Sequence, residues 1–381
     1  MFCKDFLVLD RQENEISRSI SEIFQRILVL KKMLYSADSA LIDAYVSRNS
    51  KFRKLPLIKI TKSLPCFSAK EIDTEELAHR FGTLSASSTV VEEYGYVVLN
   101  HSEESPMAML EEPEVTAKID TGFGNGLHNV VAQNDEEIWT SGWDKILKLY
   151  NLNGELIKSV QTKSGNAPQD MTITGNGDLV YTDDKDGTVN ILKNTNIEEM
   201  VWLPGWKPQG VCSAFSDHLL VIMVNDDFDQ TKVVRYFGST ETQTIQFEDK
   251  GRALYSSSRL THPKYITENG NRDICVSDCW AGAVVVVSEG GALRFKYTGD
   301  PCTSKGPFDP HGIAADSQSR ILISDPTCNR IHILDQDGQF LRYIENCNLR
   351  SPRGICVNTK DELFVAESGD DGTVKKIKYT N

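Results

Sequence analysis

Six polar side chains recur at long, nearly regular intervals through the second part of this sequence: His128, Gln169, Gln209, Lys264, His311 and Arg353. None is acidic, and gathered into a ring they would offer hydrogen-bond donors to a ligand. Two are imidazoles and His262 lies beside a third position, so metal chemistry is the first candidate. A catalytic zinc site takes three protein ligands, and two ring histidines from the first and fifth repeats fall short of that number. No metal, cofactor or catalytic residue is therefore expected. No phosphate-cradling Gly-rich loop or nucleophile elbow is legible either. What remains is recognition chemistry. Trp143, Phe228 and Trp280 fall at the tips of turn-rich segments and Trp206 lies between two repeats, positions where aromatic side chains anchor binding partners. The neighbouring turns, such as Asp183-Asp184-Lys185-Asp186 and Asp226-Asp227-Phe228-Asp229, would give the ring an acidic rim, although Asp also favours tight turns through its own backbone hydrogen bonds.

A sequence repeat is what must position these residues. Its clearest copy runs Pro310-His311-Gly312-Ile313, Ile321-Leu322-Ile323-Ser324-Asp325, Asn329-Arg330-Ile331-His332-Ile333-Leu334-Asp335 and Asp337-Gly338-Gln339-Phe340-Leu341. The other copies open at Leu127, Pro168, Pro208, Pro263 and Pro352, with successive steps of 41, 40, 55, 47 and 42 residues. That period accommodates four short strands, the last hairpin often turning on Asn-Gly or Asp-Gly, as at Asn153-Gly154 and Asp337-Gly338. Six such units predict an all-β six-bladed propeller over residues 115–381. The last copy stops after its third strand, while a spare strand-like stretch, Val115 to Asp120, precedes the first. Residues 115–120 are expected to supply the missing outer strand of the sixth blade, leaving no open sheet edge at the seam.

The N-terminal part reads differently. Ile16, Ile20, Ile23, Ile27, Leu30, Leu34 and, with Ala37 between, Leu41 fall on alternating three- and four-residue steps, a narrow seam that predicts an α-helical coiled coil over residues 1–50 and self-association through it. Residues 51–114 are expected to hold an extended segment around Pro65, a short helix from Ala69 to Phe81 and an acidic linker. The net charge of −13 extends into the repeats, where residues 115–381 carry 27 basic and 36 acidic side chains, a balance that opposes a broad electrostatic grip on nucleic acid. Nine cysteines without a C-x-x-C pair suit a reducing compartment. No signal-peptide pattern is legible and no stretch approaches the roughly 20 apolar residues of a membrane span, so a cytoplasmic location is expected.

The pattern Pro-x-Gly-Ile, apolar-apolar-Ser-Asp, Asn-Arg-Ile and Asp-x-Gly resembles the NHL repeat. The coiled coil ending in Ala44-Tyr45-Val46-Ser47-Arg48-Asn49-Ser50-Lys51-Phe52-Arg53 is similar to the region that precedes the propeller in NHL-containing tripartite-motif proteins. That family consists of ubiquitin ligases whose RING and B-box zinc modules lie upstream of the coiled coil. Here the segment before residue 60 has one cysteine, Cys3, and no histidine, whereas such modules need sets of four Cys/His ligands, so ligase activity is not carried over. The resemblance implies a non-catalytic, self-associating scaffold whose propeller captures a protein partner in the manner of a substrate-recognition half. The alternative is RNA capture on the propeller's top face, which the acidic rim weakens.

Overall fold

The structure, a computed structural model, describes residues 108–249, 251–257, 263–300, 306–369 and 372–381. The coiled-coil seam from Ile16 to Leu41, the short helix from Ala69 to Phe81 and the turn residues Asp370 and Asp371 lie outside them.

Six antiparallel sheets of four strands make up the described chain. Named from the inner strand outwards, blade 1 is Leu127–Ala132, Glu137–Gly142, Ile146–Asn151 and Leu156–Gln161; blade 2 is Met171–Ile173, Leu179–Asp183, Thr188–Lys193 and Asn196–Trp202. Blade 3 is Trp206–Ala214, His218–Asn225, Thr231–Phe237 and Thr240–Ile245; blade 4 is Lys264–Glu268, Ile274–Asp278, Ala283–Val287 and Leu293–Tyr297. Blade 5 is Ile313–Ala315, Ile321–Asp325, Arg330–Leu334 and Phe340–Ile344, and blade 6 is Pro352–Val357, Leu363–Glu367, Thr373–Thr380 and Met109–Asp120. This is a six-bladed propeller, its last blade completed by the N-terminal strand.

Strand composition follows position in the blade. Second and third strands such as Ile321–Asp325 and Ala283–Val287 are buried at every residue because neighbouring blades cover both faces, and β-branched side chains fill that space well. Outer strands such as Leu156–Gln161 hold only exposed and half-buried residues. Each apolar cluster therefore spans two blades. Val180 and Val189 pack with Val221 and Met223 between blades 2 and 3, and Phe364 and Val374 pack with Leu127 and Ile138 where blade 6 meets blade 1.

The closing strand is longer than Val115–Asp120, beginning at Met109. Register shifts between Met109 and Glu114 and between Val115 and Ala117 let it accommodate Pro113, which cannot donate to the ladder. The Arg342 guanidinium secures this extension by donating to the carbonyls of Leu110 and Glu111. At one end of the propeller, the turns between second and third strands emerge together with the links from each outer strand to the next blade; we call this the top face. Among the described residues no helix is long and apolar enough to cross a membrane.

Candidate functional site

The top face is built on buried acids. Asp183, Asp278, Asp325 and Glu367 each end a second strand, and all four are buried. Such a carboxylate is stable only when its lone pairs are filled, and here the loops fill them. Asp183 accepts from Ser164 Oγ and from Asn166 Nδ2 at 3.2 Å on the incoming link, and from the Lys185 and Asp186 N–H groups at 3.1 and 3.0 Å in its own turn. Asp278 accepts from the Ser256 N–H at 2.7 Å and the Ala281 N–H at 3.3 Å; Glu367 accepts from the Arg350 N–H at 2.6 Å and Lys375 Nζ at 3.1 Å. The residue before each acid ties blades together in two cases, since Thr182 Oγ donates to the Gln209 carbonyl and Ser324 Oγ to the Arg353 carbonyl. These acids hold the loops in place. The exposed Asp144, Asp186, Asp226, Asp227 and Asp229 form the acidic rim.

Beneath the loops lie the six ring positions. His128, Gln209, Lys264 and His311 are buried, whereas Gln169 and Arg353 are half-buried. The turns fold over the ring: Trp143, whose N–H donates to the Gly126 carbonyl at 3.0 Å, covers His128 with ring centroids 4.6 Å apart. Burial drives the His128 pKa down to about 4, against a backbone hydrogen bond with Gly142 that favours the charged ring. Lys264 Nζ lies 3.6 Å from Asp278 Oδ1, burial lowering its pKa while that carboxylate opposes the shift. Gln209 Oε1 accepts the Lys264 N–H at 3.3 Å, and Arg353 Nε donates to Ser368 Oγ at 3.0 Å. The ring thus braces the blades, and four of its six members are buried.

The aromatic residues divide into two groups. Trp143 and Trp280 are each 60% exposed on second-to-third turns. Trp206 and Phe228 are half-buried beneath cations, with Lys232 Nζ 3.9 Å above the Trp206 ring and Lys207 Nζ 4.9 Å above Phe228. A further tryptophan, Trp202, is 61% exposed at the top of blade 2's outer strand. Its position at the end of an outer strand, four residues before Trp206, was the available sequence signal.

Inside the blades the inner strands enclose a channel cavity of about 260 Å³. Asp170 lines it, its carboxylate accepting from Asn129 Nδ2 of blade 1, the Met171 N–H at 2.8 Å and the Val211 N–H of blade 3 at 2.8 Å. Burial outweighs these donors and raises the pKa of the acid to about 7. Gly312 and Gly354 occupy equivalent places where no side chain fits: a Cβ on Gly312 would stand 2.3 Å from the Arg353 carbonyl oxygen, and one on Gly354 2.7 Å from that of His128.

One cluster brings together groups that the spacing of histidines alone did not reveal. Cys279 Sγ lies 3.1 Å from Asp309 Oδ1 and 3.6 Å from His311 Nε2, and the last two are 3.4 Å apart. Cys279 comes from the turn of blade 4, Asp309 and His311 from the link into blade 5. Burial, followed by the hydrogen bond to Asp309, pushes the Cys279 thiol pKa up; the hydrogen bond to His311 leads the causes that hold the Asp309 carboxyl well below the usual carboxylate range.

No protein-family model and no curated protein sequence matches this chain. Solved structures do. A protein of unknown function from Bacteroides thetaiotaomicron superposes with a TM-score of 0.56 at 12% identity, covering 71% of this chain and 76% of that one. The calcium-binding protein regucalcin from Agrobacterium tumefaciens gives 0.52 at 11%, covering 70% and 95%. Selenomethionine-substituted virginiamycin B lyase from Staphylococcus aureus gives 0.50 at 13%, covering 70% and 99%. At such identities the likeness is one of fold. It supports a six-bladed propeller and adds nothing to the NHL or tripartite-motif resemblance, which rests on the repeat residues themselves.

Proposed function

We propose that this protein is a non-catalytic interaction scaffold whose propeller captures a protein partner on its top face. The observation that carries this reading is the exposure of Trp143, Trp202 and Trp280, each about three-fifths open to solvent, at the end of the propeller where buried acids fix the loops. A large aromatic side chain held in place before binding loses little freedom when a partner covers it, which is the condition for a hot spot. The acidic rim of Asp144, Asp186, Asp226, Asp227 and Asp229 favours a basic or mixed-charge segment as the occupant. The same rim repels phosphate backbones, which sets RNA second. Self-association through Ile16, Ile20, Ile23, Ile27, Leu30, Leu34 and Leu41 would add avidity.

Crosslinked capture with the full-length chain, identifying both bound protein and bound RNA, tests the reading against a Trp143→Ala/Trp280→Ala variant. Protein partners lost in the variant support top-face capture; a defined RNA retained in both overturns it. For the oligomer, Ile23→Asp with Leu30→Asp should lower the mass measured by light scattering without changing the propeller's melting temperature. An unchanged mass removes the coiled coil from the account.

A further inference from the structure

We infer that Cys279, Asp309 and His311 form a binding site for a borderline-soft divalent cation, of which Zn²⁺ fits best. The three ligand atoms make a triangle with edges of 3.1 Å from Sγ to Oδ1, 3.4 Å from Nε2 to Oδ1 and 3.6 Å from Sγ to Nε2. Tetrahedral zinc, with bonds of about 2.3 Å to sulfur, about 2.0 Å to imidazole nitrogen and about 2.1 Å to oxygen, separates such atoms by about 3.6, 3.4 and 3.5 Å in the same order. Two edges already match. The third opens by about 0.5 Å, a shift within reach of a partly exposed turn residue.

The competing reading of these residue types is a nucleophilic relay, and its geometry is different. A relay places the imidazole between nucleophile and acid, one on each ring nitrogen. Here thiol and carboxylate both face Nε2, while Nδ1 is buried with no hydrogen-bond partner among the described residues. Three donor atoms converging on one point is the arrangement of coordination.

The scaffold around the triangle holds it. Cys279 opens a turn closed by the Gly282 N–H on its carbonyl at 3.1 Å, with Gly282 at a φ of +57°. His311 is pinned by its N–H to the Ser324 carbonyl at 2.9 Å. The second carboxylate oxygen of Asp309 accepts from Thr327 Oγ at 2.9 Å, the kind of outer contact that orients a ligating carboxylate. A thiolate with an imidazole selects zinc over magnesium or calcium. Binding exchanges the Cys279 S–H proton for an S–metal bond and releases that proton to solvent, so affinity rises with pH. The ion would join blade 4 to blade 5 and keep a fourth coordination position for water or a partner's side chain, in the turn that carries Trp280.

The test uses the chelator-stripped full-length chain and Co²⁺ as a spectroscopic probe. One equivalent should develop a thiolate-to-cobalt absorption band that Zn²⁺ bleaches, with proton release on binding. Cys279→Ser should abolish the band, and Asp309→Asn or His311→Gln should weaken Zn²⁺ binding by at least the roughly tenfold that loss of an outer-shell contact costs. Cys356→Ser, a control thiol elsewhere in the propeller, should change neither. The inference is overturned by the absence of a thiolate band at stoichiometric Co²⁺ or by a band that survives Cys279→Ser. If Cys279→Ser fails to fold, Asp309→Asn decides: undiminished Co²⁺ and Zn²⁺ affinity overturns the site.

Discussion

Replacing Asp170 with asparagine should tilt the pH dependence of the propeller's stability, because two buried groups near the channel now oppose each other. In the fold Asp170 keeps its proton to about pH 7 against an ordinary 3.8. Between those values the folded chain binds more protons than the unfolded one. The contribution is therefore fully present below pH 3.8 and is lost as pH rises through 7, a loss of about 4 kcal/mol at roughly 1.4 kcal/mol per tenfold change in proton affinity. His128 works in the opposite sense, its pKa falling from 6.5 to about 4. Its contribution is present above pH 6.5 and is lost as pH falls through 4, about 3 kcal/mol. Across pH 4 to 8 the two nearly cancel. The asparagine side chain would keep the shape of the aspartate and an oxygen for the Met171 or Val211 N–H while removing the titration. Urea unfolding followed by tryptophan fluorescence, which buried Trp139 makes sensitive to the fold, should therefore give a variant-minus-wild-type difference that moves in the variant's favour by about 4 kcal/mol from pH 4 to pH 8. His128→Gln should tilt the curve the other way. A difference for Asp170→Asn that is equal at both pH values would mean the native carboxyl is already ionised, and the reasoning would fail.

Gly312→Ala should destabilise the seam between blades 5 and 6, since the new methyl group would stand 2.3 Å from the Arg353 carbonyl oxygen and 2.8 Å from the Ile355 nitrogen. Overpacking and strain on the 3.1 Å Gly312 N–H to Arg353 carbonyl bond together cost about 3 kcal/mol, to be read by calorimetry as a lowered melting temperature; no change would refute the close approach. Lys264→Met should cost about 3 kcal/mol in urea unfolding by leaving Asp278 buried without its cation, and Lys264→Met with Asp278→Asn should recover most of it. A double variant no better than the single would place the role of Lys264 elsewhere.

The propeller was legible because its signals are local and repeated: β-branched runs, Asp-Gly turns and a Ser-Asp or Thr-Asp pair ending a second strand. The full length of the closing strand was not. Glu111, Glu112 and Pro113 have linker composition, and the Arg342 guanidinium that holds the backbone of Leu110 and Glu111 lies more than two hundred residues away. The ring positions could be named from the repeat, but not their depth, which depends on how Trp143 and the other turns fold over them. Cys279, Asp309 and His311 escaped notice for a related reason. Comparison within one position of the repeat counts histidines, whereas this cluster crosses from the turn of one blade to the link into the next.

Hydroxyl-radical footprinting of the full-length chain, alone and crosslinked to a captured protein partner, tests top-face capture most directly. Trp143, Trp202 and Trp280 should lose reactivity together, while the exposed Leu156 and Ile157 on the side of blade 1 keep theirs. Protection of Leu156 and Ile157 with all three tryptophans still reactive would contradict the account and move the binding surface to a blade side.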